Sequence, residues 1–337
     1  MNNFKIIKTF EELVALAELA NDKRLSRGQY SRINIPLLKK IHVRLHRNKK
    51  TFKSFMLNVP FALRIYDYLN CRKMYSSAVH YSELVTIDFL SNIEDYKQSF
   101  ELMSDEKSKY MFLNLIAGEI ILDMRYGVPF QEPEGRKHSY YCVNISDAEG
   151  NVKPFINNDE ILVDCGAYRG GILRELSNNR IVIQKYFGFE PTQENFVHAQ
   201  QALAASGVEG WIKNVGVYNT SKTLHFTIGN NTATSHIDES GNTSIRVEKI
   251  DDLIKERVTL IKYDVEGSEY EALEGAAQLI SSWKPKLAVS IYHEHTDFRK
   301  LPLLIKQINS NYSRFYIRYP SDMFNPNGFA EVLLLVE

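Results

Sequence analysis

Only three of the 337 residues are cysteine (Cys71, Cys142 and Cys165), and no two of them form a C-x-x-C pair. That spacing excludes a disulfide framework and a zinc ribbon, and it favours a reducing, cytoplasmic setting. Neither sign of charge is in excess, with 41 Lys and Arg against 41 Asp and Glu, so no whole-molecule attraction to nucleic acid arises. No apolar run approaches the ~18–20 residues of a membrane span. The opening MNNFKIIKTFEELVALAELANDKR is too acidic and too interrupted for a signal peptide. No internal repeat is present. Two glycine signatures are also missing. A dinucleotide fingerprint fails because Tyr168 stands two positions after Gly166, and a phosphate loop fails because Ile172 and Leu173 follow Gly171 where Lys and Ser or Thr are required.

What is there instead is ILVDCGAYRGG, residues 161–171. Ile161-Leu162-Val163 has the make-up of a buried parallel strand. A glycine turn and a helix starting at Ile172 follow, a corner that presents free N–H groups. Asp164 at the strand end would repel a pyrophosphate but suits a cationic or amine-bearing ligand. S-adenosylmethionine, with its ammonium and sulfonium, meets that demand.

The two halves of the chain differ in pattern. Residues 1–130 read as mainly helical, with a capping box at Thr9–Glu12 and a helix over 104–124 capped by Ser104. Their charge is polarised: 14 Lys or Arg against one acid from Lys23 to Lys73, then 11 acids against four bases from Glu83 to Glu134. That pattern fits a bipolar surface, faces that meet in a homo-oligomer, or a basic strip for an anionic acceptor. Residues 131–158, rich in Pro, Gly, Asn and Asp, read as a connector or small hairpin. Residues 159–337 alternate strands (161–164, 186–190, 211–217, 223–228, 259–264, 286–292, 312–319, 331–336) with helices (171–178, 193–205, 268–281, 300–309). This is the pattern of an α/β domain, a mostly parallel sheet covered on both faces.

Ligands of such sheets sit beyond the carboxyl ends of the strands, so the residues closing each strand are the site candidates. The first strand ends in Asp164 and the second in Glu190, an acid placed to accept a ribose diol. Ala167 and Tyr168 on the first turn, Pro191 after Glu190, and Asn214 with Val215 near the adenine edge complete the candidate cofactor set. Asp264 and Glu266 close a fourth strand. The fifth delivers His293, Glu294 and His295; His293 and His295 lie on opposite faces of an extended strand, so at most one enters the site.

ILVDCGAYRGG, YFGFEPTQENF, RVEKIDDLI, LIKYDVEGSEYEALEGA and PKLAVSIYH together closely resemble the FkbM family of S-adenosylmethionine-dependent methyltransferases. The DVEG-S-E block is the most specific of these, since Lys262 before it and Glu274-Gly275-Ala276 after it also match. The likeness covers about residues 159–337. It implies the Rossmann-like seven-stranded class I methyltransferase sheet with its last strand antiparallel. It also implies that Asp164, Gly166 and Gly170 form the methionine-side turn, that Glu190 is the ribose acid, and that Asp264 lies next to the reacting methyl. Gly171 departs from the many members with an acid there. The expected activity is O-methylation of a hydroxyl, foremost on a sugar of a nucleotide-sugar, glycan or polysaccharide. A polyketide or peptide natural product is the alternative acceptor, and a catalytically silent scaffold the alternative class. A hydroxyl needs a base or a Lewis acid. His293 is the candidate base, with Asp264 beside it, and the alternative is a Mg²⁺ shared by Asp264 and His293.

Overall fold

Each β-branched or aromatic run of the second half forms one strand of a single sheet, because both of its faces are covered by other elements. The computed structural model describes residues 6–26, 81–121, 140–146, 150–227, 236–237, 243–319, 324–325, 328–329 and 331–337. The strands of the main sheet are β1 (Ile161–Cys165), β2 (Lys185–Phe189), β3 (Glu209–Lys213), β4 (Leu260–Tyr263), β5 (Lys286–Ser290), β6 (Phe315–Arg318) and β7 (Leu333–Val336). Their order is β6-β7-β5-β4-β1-β2-β3. Strands β1 to β5 are mutually parallel, and β7 runs antiparallel between β5 and β6. This is the class I methyltransferase fold. The chain order reverses between β1 and β4, where ligands of open α/β sheets bind.

Two strand readings change in the structure. The run 211–217 divides, with β3 ending at Lys213 and Gly216–Val217 joining a separate four-stranded sheet. The 223–228 run joins that second sheet as Lys222–Thr227, alongside Thr243–Glu248. The helix read over 268–281 likewise divides into Glu269–Glu274 and Ala277–Trp283. Gly275 marks the break: a Cβ there would lie 2.0 Å from the Tyr218 carbonyl oxygen, so only glycine admits that approach. Asp251 of the IDDLI motif caps the second helix, accepting the N–H groups of Gln278 and Leu279 at 2.9 Å each.

The sheet's two faces have different covers. Val163, Ile261, Val289 and Ile317 share one apolar cluster with Leu13, Phe89, Phe112 and Ile116 of the first half. Leu162, Leu260 and Ala288 pack on the other face against Tyr141, Val143 and helix residues Ile172, Leu173 and Leu176. The first half's described helices, Phe10–Ser26, 81–91, Ile93–Glu101 and Glu106–Ile121, are therefore built into the methyltransferase core.

Thr9 caps the first helix as expected, accepting the Glu12 N–H at 3.2 Å. The next expected cap shifts by one residue. Asp105 accepts the Ser108 N–H at 2.7 Å, while Ser104 pairs with the edge of β6 through Phe315. Tertiary pairing with an open strand edge has taken the serine. Part of the acidic excess has a partner inside the chain. Arg299 meets Asp88 at 2.7 Å and Asp95 at 3.3 Å, and Arg318 meets Asp105 at 2.8 Å. The basic stretch 27–73 lies outside the described residues. Within 131–158, Asn144–Ser146 and Val152–Pro154 form the small hairpin. No described helix is long and apolar enough to cross a membrane.

Arg299 is the main polar tie between the helical half and the sheet. Its guanidinium is only 11% exposed and the Asp88 side chain 12%, so Arg299→Ala leaves Asp88 buried without its cation, while Asp95, 45% exposed, keeps its access to water. Urea unfolding should show a loss of about 3 kcal/mol. Asp88→Ala should cost a similar amount, with the double mutant clearly less than additive. Additivity of the two single changes would show that the pair carries no coupling.

Candidate active site

The register of β1 against β4 sets Asp164 directly opposite Lys262, on the face that carries the connector. Both side chains are almost fully buried, and the ammonium lies 2.9 Å from Asp164 Oδ1. Tyr186 from β2 donates its hydroxyl to Asp164 Oδ2 at 2.5 Å. Lys262 also donates to the Gly166 carbonyl at 2.6 Å and stands 3.9 Å from Asp264 Oδ2. Burial alone would lower the lysine pKa, but Asp164 and then Asp264 outweigh it and hold the ammonium above its usual range. Asp164 is thus the base of the turn, paired from two sides.

The turn itself is strained in a way that glycine relieves. Gly166 has φ +84°, and a Cβ on it would fall 1.9 Å from the Asp264 carbonyl oxygen. Tyr168 adopts φ +48° and Gly170 φ +72° at the start of helix Gly171–Asn178. Ala167 is buried, while Tyr168 is partly exposed. Gly171 is open: a Cβ there would meet nothing within 4 Å.

Glu190, at the end of β2, is buried and well supplied with donors. Its Oε2 accepts the Tyr168 N–H at 2.9 Å, and its Oε1 accepts the Thr192 N–H at 2.9 Å and hydroxyl at 2.6 Å. Burial pushes its pKa up. A carboxylate has about four acceptor positions, so one remains for a ligand hydroxyl. The Asn214 amide donates to the carbonyls of Glu190 and Pro191, at 2.9 and 3.1 Å, and so braces that corner. Val215 is buried beside it.

Asp264, Glu266 and His293 converge at the ends of β4 and β5. Asp264 accepts the Tyr141 hydroxyl at 2.9 Å and the Ser290 hydroxyl at 3.2 Å. His293 Nδ1 lies 2.8 Å from Glu269 Oε1, and its Nε2 lies 3.7 Å from Asp264 Oδ1 and 3.6 Å from Glu266 Oε2. Burial would lower the imidazole pKa, but Glu269, then Asp264 and Glu266, drive it up to about 10. The expectation of a neutral base meets this cage: without a metal, His293 carries its proton at neutral pH and has no lone pair to offer. Glu266, at φ +57°, is pushed up to about 7, first by burial and then by Asp264 and Glu269 against the opposing His293. It is the titrating group of the cluster nearest neutrality. His295 points elsewhere, edge-on to Tyr81 at 6.5 Å.

Three site residues escaped the sequence reading. Lys262 was visible as a cation inside the apolar run LIKYD. Glu269 lay in the DVEGSE block, but its burial and its bond to His293 exist only in three dimensions. Tyr141 belongs to the connector, and nothing local marks it. Glu175 accepts the N–H groups of Tyr141 and Cys142 at 2.6 Å each and docks that segment on the helix behind the glycine turn.

Residues 164–321 match the Methyltransferase FkbM domain model. A search of curated proteins found no match. Among solved structures, a methyltransferase FkbM from Methylobacillus flagellatus KT superposes with a TM-score of 0.59 at 23% identity. The match covers 74% of this chain and 60% of that one. A precorrin-6y C5,15-methyltransferase from Geobacter metallireducens GS-15 is 9% identical, with a TM-score of 0.32 over 54% of this chain and 81% of that one. The chain therefore spans less than two thirds of its FkbM neighbour's length.

Two measurements probe the site. Lys262→Met leaves Asp164 buried without its cation, and denaturant unfolding should show a loss of about 3–5 kcal/mol; an unchanged midpoint would show that the pair contributes nothing to stability. The second concerns pH. His293 is raised from 6.5 to about 10 on folding, and Glu266 from 4.5 to about 7. Their stabilisation is fully present below those unfolded values and is lost as pH rises through the folded ones. Chelator-treated protein should therefore lose melting temperature steadily from pH 6.5 to 10, and His293→Gln should flatten that slope.

Proposed function

We propose that this chain, whose residues 164–321 match the Methyltransferase FkbM domain, is an S-adenosylmethionine-dependent O-methyltransferase acting on a hydroxyl of a sugar or similar polyol. The observation that carries the reading is the juxtaposition of a strained glycine turn with the Asp264–Glu266–His293 cluster across one strand gap, tied together by Lys262.

The residues present fit the methyl donor. A side chain at 166 would fill the space between the turn and Asp264. The turn from Gly166 to Gly170 would hold the methionine end, with Asp164 acting from behind through Lys262. Glu190 would hold the ribose through its remaining acceptor position. Tyr168, Pro191, Asn214 and Val215 would border the adenosine. S-adenosylmethionine supplies a methyl group already activated by a sulfonium, so the protein's main task is to align the acceptor oxygen with it.

The chain's own groups then handle the proton. Glu266 is the site's carboxylate closest to neutrality and more than a third exposed, so it takes the hydroxyl proton and passes it to solvent. Asp264, held by Tyr141 and Ser290, orients the hydroxyl, with His293 standing 3.6 Å from Glu266. The walls support a polyol acceptor over an apolar natural product, since carboxylates and the tyrosine hydroxyls of Tyr141 and Tyr292 line them. They are also poorly suited to an anionic acceptor, because the described groups here are mostly acids. A charged acceptor would need the basic stretch 27–73.

Calorimetry with S-adenosylhomocysteine tests the donor half of this reading. The wild type should bind one ligand per chain. Glu190→Ala should weaken binding by about 1.5–3 kcal/mol, roughly ten- to a hundredfold. No heat from the wild type with either S-adenosylhomocysteine or S-adenosylmethionine would overturn the methyltransferase reading.

A further inference from the structure

His293 Nε2 is buried and has no hydrogen-bond partner. That is an unusual state for a polar atom so close to ionised groups. Its side chain is 9% exposed, and the atom stands 3.7 Å from Asp264 Oδ1 and 3.6 Å from Glu266 Oε2, too far for a hydrogen bond to either. The other ring nitrogen is committed. Glu269 is buried, and its Oε1 and Oε2 accept the N–H groups of Val265 at 2.9 Å and Gly267 at 3.0 Å, so both oxygens are already held as acceptors. The 2.8 Å contact with His293 Nδ1 therefore fixes the proton on Nδ1 and leaves Nε2 as the outward donor atom.

We infer that this hole is a divalent-metal site, with His293 Nε2 and Asp264 Oδ1 as fixed ligands, Glu266 closing a third corner, and Glu269 orienting the histidine from behind. Asp264, Glu269 and His293 offer ligand atoms that all lie within 4.8 Å of one another. Three of Glu269's acceptor positions are taken by its own loop and by Nδ1, so its part here is to orient the histidine from the outer shell. A carboxylate that fixes the tautomer of a ligating histidine is the usual companion of such sites. Nε2–oxygen gaps of 3.6–3.7 Å are close to what two ligands span across an ion with bonds of about 2.0–2.2 Å. Charge agrees with geometry. Three carboxylates face one imidazole, and the nearest other cation, Lys262, is engaged by Asp164. An imidazole beside two carboxylates suits a first-row ion such as Mn²⁺ better than Mg²⁺, which prefers oxygen alone. This choice of ion differs from the Mg²⁺ given above as the alternative, and Glu266 and Glu269 join the expected pair.

The site itself stands on the geometry; its role in turnover rests on the methyltransferase reading. An ion here would lie at the ends of β4 and β5, where a coordinated acceptor hydroxyl would lose its proton more easily. The free oxygen of Glu266 would still face the exposed side, where that proton leaves.

Electron paramagnetic resonance on the chelator-stripped full chain, titrated with Mn²⁺, decides the matter without an activity assay. The wild type should bind one ion per chain, with ¹⁴N coupling from a histidine nitrogen in the echo-modulation spectrum. His293→Gln should abolish that single site, and Glu269→Gln should weaken it about 10–100-fold. Absence of wild-type binding, absence of nitrogen coupling, or equal binding by His293→Gln would each overturn the inference. The nitrogen signal is read on the wild type, so a misfolded variant cannot obscure the answer. Mn²⁺ binding without any S-adenosylhomocysteine binding would retain the metal site and remove only its proposed role.

Discussion

A single buried ammonium holds the site together. Lys262 pairs with Asp164, donates to the Gly166 carbonyl, faces Asp264 and lies 5.3 Å over the Tyr141 ring. Burying such a charge is costly unless every side of it is answered, and here the strand register answers it. Parallel pairing of β1 with β4 sets residues 164 and 262 side by side, so the fold that makes the sheet also makes the pair. The glycine turn, Asp264 and the connector's Tyr141 then take their positions around one cation. A change at Lys262 would loosen the turn and the Asp264 corner together.

Next to this pair, the second polar centre has the opposite balance. Around His293 the carboxylates outnumber the cations, and the imidazole is held charged or, on our inference, gives its outward nitrogen to a metal. Lys262 isolates Asp164 from that surplus. Two acids, 2.9 and 3.9 Å from one lysine, thus play different parts: Asp164 is a buried structural counter-ion, and Asp264 a partly open one that tyrosine and serine hydroxyls keep oriented. Environment divides their roles, as it does wherever paired carboxylates serve one reaction.

The helical first half enters the same design from behind. Its apolar residues complete one face of the sheet, and its acids meet Arg299 and Arg318, which hang from the far helix and the edge strand. Asp88 and Asp95 are therefore docking groups, and that part of the charge polarity seen in the sequence serves the inside of the molecule. Tyr141 reaches Asp264 only because Glu175 anchors its backbone, so the connector is a wall of the site as well as a link.

Much of this was legible in the sequence because it is local. Alternating apolar runs and glycine breaks defined the strands; Asp164, Glu190, Asp264 and His293 could be read as strand-end groups because a parallel sheet gathers such ends at one edge. Motif likeness supplied the seven-stranded sheet with its antiparallel last strand. What stayed hidden depends on residues distant in the chain. Gly275 breaks a helix because Tyr218 passes beneath it, and Ser104 abandons its cap because an edge strand offers a partner. Local pattern also sets His293 among the candidates but leaves its protonation open, since that follows from Glu269, Asp264 and Glu266 closing around it in space. The sequence by itself determined the sheet, the turn and the acids at its rim. Only the tertiary structure decided which acids are spent on lysine, which remain for a ligand, and which nitrogen of His293 faces it, because those properties arise from burial and from charges brought within a few ångströms by folding.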